Sequence, residues 1–244
     1  MSVSAEAFIA KAFDVLEHIR ASQLEAIEQA GRAVAAATRD GRNIWAFGTG
    51  HSHAIAEELY GRAGGWTDIR AVLEPSLMLH EGLAKSSAFE RLPGLADALL
   101  ETNGVQEGDV AIVISNSGRN SAPVEFAAGA KKRGATVVAI TSLAHSRSVE
   151  SRAPSGRRLF EVADIVIDNC GEPGDAVIDL PGMPAKVAAT STIAGSLIAQ
   201  AIVCEAAATY VAWGERPPVL MSNNVEGAEA YNADLLARLE RPRR

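Results

Sequence analysis

Short, continuous apolar runs alternate along the chain with segments in which apolar residues recur every three or four positions. The clearest run is Val-Ala-Ile-Val-Ile at 110–114, and similar runs lie at 43–47, 69–73 and 136–140. Strands that are apolar at consecutive positions are typical of a parallel sheet buried on both faces. Their alternation with helical segments predicts an α/β fold, a doubly wound parallel sheet flanked by helices in a three-layer sandwich.

Helical periodicity and end signals place the remaining elements. Pro123 suits the first turn of a helix and Gly134 suits a helix C-terminal cap, which together predict a helix at 121–133. Further helices are predicted at 4–39, 54–62 and 186–213, later strands at 165–167 and 176–180, and a loop at 80–87.

No internal repeat and no low-complexity linker divides the sequence. We therefore expect one domain over 1–244, with N-terminal helices at 4–39, a core at 40–213, and a polar tail and helix at 214–244. Residues 187–204 carry no charge and are long enough to span a bilayer. Because this stretch contains polar residues such as Gln200, we interpret it as a helix buried inside a soluble protein.

The balance of charge argues against two classes of partner. The chain has 23 basic and 30 acidic residues, a formal charge of −7, which disfavours binding to nucleic acid or to an anionic membrane. Cys170 and Cys204 are too few for a disulfide framework and predict two buried thiols in a reducing compartment. The first residues lack the pattern of a signal peptide, so we expect a cytoplasmic protein.

Two loops rich in small and hydroxyl residues follow predicted strands. The first is Gly-Thr-Gly-His-Ser-His at 48–53, and the second is Ser-Asn-Ser-Gly-Arg-Asn at 115–120. Ligands of a doubly wound sheet bind at the carboxyl ends of its strands. Both loops lead into helix N-termini, whose free N–H groups favour an anion. We therefore expect a phosphate site built from neutral donors, although turns also use these residue types freely.

Other phosphate and metal sites fit the sequence less well. It contains no Gly-x-x-x-x-Gly-Lys-Ser/Thr motif, and His53 occupies the third glycine position of a dinucleotide fingerprint. His51, His53, His80 and Glu81 suggest zinc ligands, but no cysteine accompanies them. A hydrogen-bonded structural role is the alternative for each histidine. We expect no metal and no cofactor.

The Ser115-x-Ser117-Gly118 motif, after a buried strand and before a helix, resembles the phosphate loop of sugar isomerase (SIS) domains. The loop at 48–52 fits the same family. The segment at 56–62, Ala-Glu-Glu-Leu-x-Gly-Arg, is similar to the helix that carries the catalytic glutamate of phosphoheptose isomerases. His-Glu-Gly at 80–82 and Ser-Asn-Asn at 222–224 resemble the UPF0309-like branch of the family. The resemblance covers about the whole chain.

This resemblance implies a five-stranded SIS-type sandwich that forms a homodimer, with the possibility of a higher oligomer, and binds a sugar phosphate at the subunit interface. It implies that Ser115, Asn116, Ser117 and Asn120 hold the phosphate, although Asn120 replaces the commoner hydroxyl residue. The substrate-binding residues that we expect are Gly50, His51, Ser52, Ser115, Asn116, Ser117, Asn120, Ser142, Thr190, Ser191 and Asn223.

Some SIS proteins of this branch resemble amino-sugar-phosphate enzymes, which suggests dehydration of N-acetylglucosamine 6-phosphate. Glu58 or Glu81 would remove the C2 proton, and His80 would act as the acid. A simple ion pair with Arg62, four residues on, is the alternative for Glu58. The helix at 186–213 lacks the histidine of phosphoheptose isomerases. An aldose–ketose isomerase and a non-catalytic sugar-phosphate sensor are the alternative functions.

Overall fold

Five parallel strands form the central sheet of the protein, in the order β2-β1-β3-β4-β5. The computed structural model describes residues 3–240. The strands are β1 (Ile44–Gly48), β2 (Ile69–Val72), β3 (Val110–Ile114), β4 (Thr136–Thr141) and β5 (Ile165–Asp168). Every residue of β1 and β3 is buried. The predicted doubly wound sheet is confirmed.

Helices cover both faces of this sheet. They are α1 (Ala5–Ser22), α2 (Leu24–Arg39), α3 (His53–Leu59), α4 (Leu83–Phe89), α5 (Leu95–Asn103), α6 (Ser121–Lys132), α7 (Leu143–Arg147), α8 (Leu159–Val162), α9 (Ser191–Ala212) and α10 (Ala228–Glu240). One buried cluster lies between the sheet and α2, α3 and α9, and a second lies between the sheet and α5, α6 and α8. Helices α2 and α9 approach so closely that a Cβ on Gly31 would lie 2.4 Å from the Glu205 Cβ.

Asp109 fixes the register between β1 and the central strand β3. Its carboxylate is fully buried and accepts hydrogen bonds from the Asn43 backbone N–H (3.0 Å) and from the Trp45 indole (2.8 Å). The Asp109 carbonyl accepts from the Thr136 N–H at 2.8 Å, which extends the connection to β4. A buried charge of this kind is tolerated because hydrogen bonds satisfy it.

Two predictions for the first half of the chain differ from the structure. The helix predicted at 4–39 breaks at Gln23, whose side-chain oxygen accepts a hydrogen bond from the Asp168 N–H. The predicted loop at 80–87 is wrong, since a 3₁₀ turn covers Leu79–Glu81 and α4 starts at Leu83.

The long helix predicted at 186–213 starts later than expected. Its first four residues form β7 (Lys186–Ala189), which pairs antiparallel with β6 (Ala176–Asp179) in a separate hairpin. The Asp175 carboxylate, at the base of the hairpin, accepts hydrogen bonds from the backbone N–H groups of Thr190 and Ser191. This capping fixes the start of α9 at Ser191.

The expectation that α9 is buried inside the protein is correct for one face only. Among the described helices, α9 alone is apolar and long enough to cross a membrane, and 39% of that stretch is buried. Its outer face exposes apolar side chains, with Leu197 41% and Val211 66% exposed. The prediction of two buried thiols is wrong, because Cys204 is exposed on this face and Cys170 is half-buried.

Candidate functional site

The two predicted loops lie side by side at the carboxyl edge of the sheet. Gly48, the last residue of β1, pairs with Ile114, the last residue of β3. The loops that follow these strands therefore start about one strand spacing apart, roughly 5 Å. The second loop ends at the N-terminus of α6, a helix of 12 residues. The N–H groups of its first turn are partly used, contrary to the expectation of free donors: Ala122 donates to the Glu90 carbonyl at 3.0 Å, Val124 donates to the Asn120 carbonyl at 3.3 Å, and Pro123 has no N–H.

The loop at 115–120 is held in a bent conformation by Gly118. This residue has a φ of 57°, in the left-handed region, and its N–H donates to the Ser115 Oγ at 3.2 Å. A Cβ on Gly118 would lie 2.7 Å from the Ser146 Oγ and 3.1 Å from the Thr141 Oγ1. Glycine is thus required here both by backbone conformation and by space.

Ser117 has the free hydroxyl of this loop. Its side chain is half-buried and makes no hydrogen bond within residues 3–240. Asn116 is different, because its Oδ1 accepts a hydrogen bond from the Asn169 Nδ2 at 2.8 Å. Ser142 supports the loop from the neighbouring strand: its N–H donates to the Asn116 carbonyl (3.1 Å) and its hydroxyl donates to the Gly171 carbonyl (2.6 Å).

Glu90, a residue that the sequence analysis missed, connects the two loops. Its Oε2 accepts a hydrogen bond from the Thr49 hydroxyl at 2.8 Å, and its Oε1 accepts one from the Asn120 Nδ2. The Arg152 Nη1 donates to the Asn120 Oδ1 at 3.2 Å. Both polar atoms of the Asn120 side chain are therefore occupied. Nothing in the sequence around Glu90 signals this contact.

The first loop brings two histidines together. Gly50, with a φ of 56°, opens a 3₁₀ turn over Gly50–Ser52, and its carbonyl accepts a hydrogen bond from the His53 Nδ1. The His53 and His80 rings lie edge to face with their centroids 6.3 Å apart. His51 is exposed and Ser52 half-buried. The predicted acid His80, 61% exposed, thus lies beside the predicted loop.

The two candidate carboxylate bases are both ion-paired. The Glu58 Oε1 accepts hydrogen bonds from the Arg62 Nη1 and from the Gln200 Nε2, the latter at 2.9 Å. This is the alternative arrangement that the sequence suggested for Glu58. The Glu81 Oε2 accepts from the Lys85 Nζ at 2.9 Å, and this contact lowers the pKa of the Glu81 carboxyl.

The remaining predicted residues are spread over two regions. Ser191 donates its hydroxyl to the Asp175 carboxylate (2.6 Å), and the Thr190 Oγ1 is buried without a hydrogen-bond partner in the described residues. The start of α9 contacts the turn at Gly50–Ser52, so both residues lie near the carboxyl edge. Asn223 lies elsewhere: it accepts a hydrogen bond from Asn232 in a groove of about 310 Å³ at the end of α3.

His145 is a second residue near this edge that the sequence analysis missed. Its Nδ1 accepts a hydrogen bond from the Gly174 N–H at 3.4 Å. Burial lowers the pKa of His145, the Asp175 charge raises it, and the Arg119 charge lowers it further. The ring is therefore neutral near pH 7. Within residues 3–240, no group of three or more His, Cys, Asp or Glu residues is arranged to hold a metal ion.

A parallel α/β sandwich with a serine-rich loop before a helix at its carboxyl edge defines a class of anion-binding proteins. The model of the SIS domain matches residues 7–142. A UPF0309 protein of Halalkalibacterium halodurans is 43% identical over 218 residues, which are 89% of this chain and 90% of the relative. A UPF0309 protein of Listeria monocytogenes serotype 4b is 42% identical over 91% of this chain and 90% of the relative. The chain therefore belongs to the SIS domain family, together with these UPF0309 relatives.

Solved structures share the fold at low sequence identity. The phosphoheptose isomerase of Neisseria gonorrhoeae is 18% identical and gives a TM-score of 0.56 over 82% of this chain and 95% of that protein. The Vibrio vulnificus NanR protein complexed with ManNAc-6P is 15% identical and gives a TM-score of 0.54 over 97% of this chain and 70% of that one. These likenesses confirm the SIS-type sandwich.

Replacing Gly118 with alanine should destabilise the protein more than the same change at Gly156. Both glycines have a left-handed φ, but a Cβ at Gly156 meets nothing within 4 Å. Gly156→Ala should lower the free energy of unfolding by about 1–2 kcal/mol through backbone strain. Gly118→Ala should lower it by about 2–4 kcal/mol, because overpacking against Ser146 is added. Urea unfolding measures both values, and equal losses would contradict the crowding seen at Gly118.

Proposed function

We propose that the protein binds a sugar phosphate at the loop 115–120 and acts on a hexosamine 6-phosphate, with N-acetylglucosamine 6-phosphate as its substrate. The observation that carries this proposal is the loop itself. The free Ser117 hydroxyl and the bent backbone at Gly118 lie at the N-terminus of α6, next to the first loop. A hydroxyl donor at the positive end of a helix dipole favours a phosphate group.

The comparisons support an amino-sugar phosphate as the ligand. The NanR protein of Vibrio vulnificus, whose fold matches 97% of this chain, is complexed with ManNAc-6P. Two phosphoheptose isomerases, from Neisseria gonorrhoeae and Francisella tularensis, share the same fold. Binding energy from the phosphate, which does not react, would position the distant C2 atom for chemistry.

The proposed reaction is a dehydration of the open-chain sugar. A carboxylate, Glu58 or Glu81, takes the proton from C2, and the electron pair of the C2–H bond moves toward the C1 carbonyl. His80 then protonates the 3-hydroxyl, the C3–O bond breaks, and water leaves with formation of a C2–C3 double bond. His80 lies beside the first loop, which supports this role. No cofactor is required for these proton transfers.

Two other functions share the binding site. An aldose–ketose isomerase would use the same first step and return the proton to C1. A sensor would bind the sugar phosphate without turnover. The ion pair of Glu81 with Lys85 favours the sensor, because it lowers the pKa of the Glu81 carboxyl and so makes it a weaker base. Glu58 is likewise held by contacts, to Arg62 and Gln200.

We also propose that the protein is a homodimer, in which α9 contacts a second copy. Its outer face carries Ile193, Leu197 and Val211, all exposed, and no charged residue lies along this stripe. The exposed Phe13 of α1, which contacts α9, extends the apolar surface. A helix that is apolar on all sides is normally covered on all sides.

The region beyond the family match is proposed to belong to the same domain. Helix α9 packs on α2 and α3, which lie inside the residues matched by the SIS model. The segment before α10 is attached close to the edge strand β2, where the Thr67 N–H donates to the Pro218 carbonyl at 2.9 Å.

The phosphate site predicts a specific pattern of ligand binding. N-acetylglucosamine 6-phosphate should bind in calorimetric titrations, whereas unphosphorylated N-acetylglucosamine should not. Ser117→Ala should weaken binding about 10–100-fold, the value of one hydrogen bond to a charged group. Ser87→Ala is the matched control, because Ser87 is exposed on α4 and makes no hydrogen bond within residues 3–240. Absence of binding by any sugar phosphate would contradict the proposed site.

Exchange of the C2 hydrogen tests the chemistry. In deuterated water, an enzyme of either proposed type should replace the C2 hydrogen of N-acetylglucosamine 6-phosphate with deuterium, as measured by NMR. Glu58→Gln should slow the exchange about 10²–10⁴-fold if Glu58 is the base. Glu57→Gln, on the exposed neighbouring residue, is the control. If only Glu81→Gln loses the exchange, Glu81 and not Glu58 is the base. If the wild type binds the ligand but shows no exchange, the protein is a sensor and not an enzyme of either type.

The α9 surface predicts self-association that depends on its apolar stripe. Size exclusion with light scattering should give a dimer, or a larger assembly built from dimers, for the wild type. Leu197→Lys and Val211→Lys should give a monomer with unchanged circular dichroism, because a charge is costly to bury at an interface. Leu92→Lys, on an exposed leucine outside the stripe, should leave the assembly intact. A monomeric wild type would refute the proposed dimer.

A further inference from the structure

Three arginines surround the outer end of the loop 115–120. The backbone N–H of Arg152 donates to the Arg119 carbonyl at 2.7 Å, so the two residues lie directly against each other. The Arg152 Nη1 contacts the Asn120 Oδ1 at 3.2 Å, and the third arginine, Arg91, directly follows Glu90 in the chain. Arg152 thus contacts Asn120 directly, and Arg119 and Arg91 are close enough for their charges to act on the Arg152 guanidinium.

The local charge of this group is strongly positive. Partial desolvation lowers the pKa of the Arg152 guanidinium, the charges of Arg119 and Arg91 lower it further, and the Glu90 carboxylate raises it. Three cations and one anion in this set give a local charge of +2, in a chain whose formal charge is −7. Like charges gathered at this density repel one another, and a bound anion would relieve the repulsion.

Arg119 has a donor without a partner. Its Nε is buried and makes no hydrogen bond within the described residues. Buried polar groups are normally paired, and an unpaired buried donor destabilises the protein. The charge of Arg119 also reaches His145 and contributes to lowering the pKa of that ring, which places the guanidinium on the same side of the loop as His145.

The hydrogen bonds of Asn120 give a second reason to expect a charged side chain in contact with the ligand. Asn120 was expected to donate to the phosphate, but its Nδ2 donates to Glu90 instead. The loop therefore has one neutral donor fewer than the sequence predicts. The guanidinium of Arg152 contacts the same side chain, through the Asn120 Oδ1, and is a charged donor next to the loop.

We propose that Arg119 and Arg152 form the cationic wall of the anion site at the loop 115–120, and that this wall selects a doubly charged phosphate monoester over singly charged anions. The proposal rests on the proposed function, since it assigns further residues to the same site. A local charge of +2 matches a phosphate dianion. Neutral donors alone would distinguish charge states less, because their hydrogen bonds to the oxygens remain when the charge falls.

A pair of ligands with the same shape and different charge tests this proposal. N-acetylglucosamine 6-phosphate is a dianion at pH 8, whereas N-acetylglucosamine 6-sulfate is a monoanion. Calorimetric titrations at low and moderate salt would use the wild type, Arg119→Met and Arg152→Met. Arg157→Met is the matched control, because Arg157 is exposed on the same segment and the change removes the same charge.

The wild type should bind the phosphate at least tenfold more tightly than the sulfate. Each of the two variants should lose about 10–30-fold in phosphate affinity, lose less in sulfate affinity, and show a weaker dependence on salt. Arg119→Lys should recover part of the affinity, because it keeps the charge. Arg157→Met should behave as the wild type does.

The outcomes separate this inference from the function on which it rests. Unchanged phosphate affinity and unchanged salt dependence in both variants would overturn the inference and leave the phosphate site in place. A wild type that binds neither ligand would remove the proposed function itself. The melting temperature measured without ligand shows whether each variant folds. If Arg119→Met does not fold, Arg152→Met still tests the inference, because the Arg152 side chain is exposed.

Discussion

One buried carboxylate, that of Asp109, determines how β1 and the central strand β3 are aligned. At the amino edge of the sheet, it accepts hydrogen bonds from the Asn43 N–H and the Trp45 indole. The Asp109 backbone carbonyl accepts a further one from the Thr136 N–H of β4. With Ile44 opposite Val110, the strands end together at Gly48 and Ile114. A shift by one residue would turn each side chain to the other face of a sheet that is apolar on both. The loops 48–53 and 115–120 therefore start side by side at the carboxyl edge because the register of β1 and β3 is set at the amino edge.

Glu90 extends this alignment into the candidate site. Thr49 and Asn120 belong to different loops, and both donate to the same carboxylate. Because the Asn120 Nδ2 donates to Glu90, it does not donate to a ligand. The Glu90 carboxylate also brings a negative charge close to the proposed phosphate site. The neighbouring arginines offset that charge, since Arg152 reaches the same Asn120 side chain. Glu90 thus holds the two loops together, and the guanidinium groups of the neighbouring arginines make the electrostatic potential at the proposed site positive.

The sequence predicted what local patterns encode. Continuous apolar runs identified the strands, and the small residues after them identified the loops, because both signals lie within a few residues. Glu90 was missed since its partners, Thr49 and Asn120, are 41 and 30 residues away. Strand β6 was predicted, but β7 was mistaken for the start of the following helix, because the true start of α9 depends on capping by Asp175, on the far side of the hairpin. Side-chain pairing over such distances leaves no periodic trace in a single sequence.

Helix α9 connects the questions of assembly and catalysis. Gln200 lies three residues from Leu197 and four from Cys204, which places it along the exposed stripe. Its amide donates to Glu58, so a second copy covering the stripe would also cover the Glu58 contact. Loss of water there would strengthen the pairing of Glu58 with Arg62 and raise the cost of an unpaired carboxylate. The proposed interface would therefore favour Glu58 as a structural ion pair with Arg62 over an unpaired base.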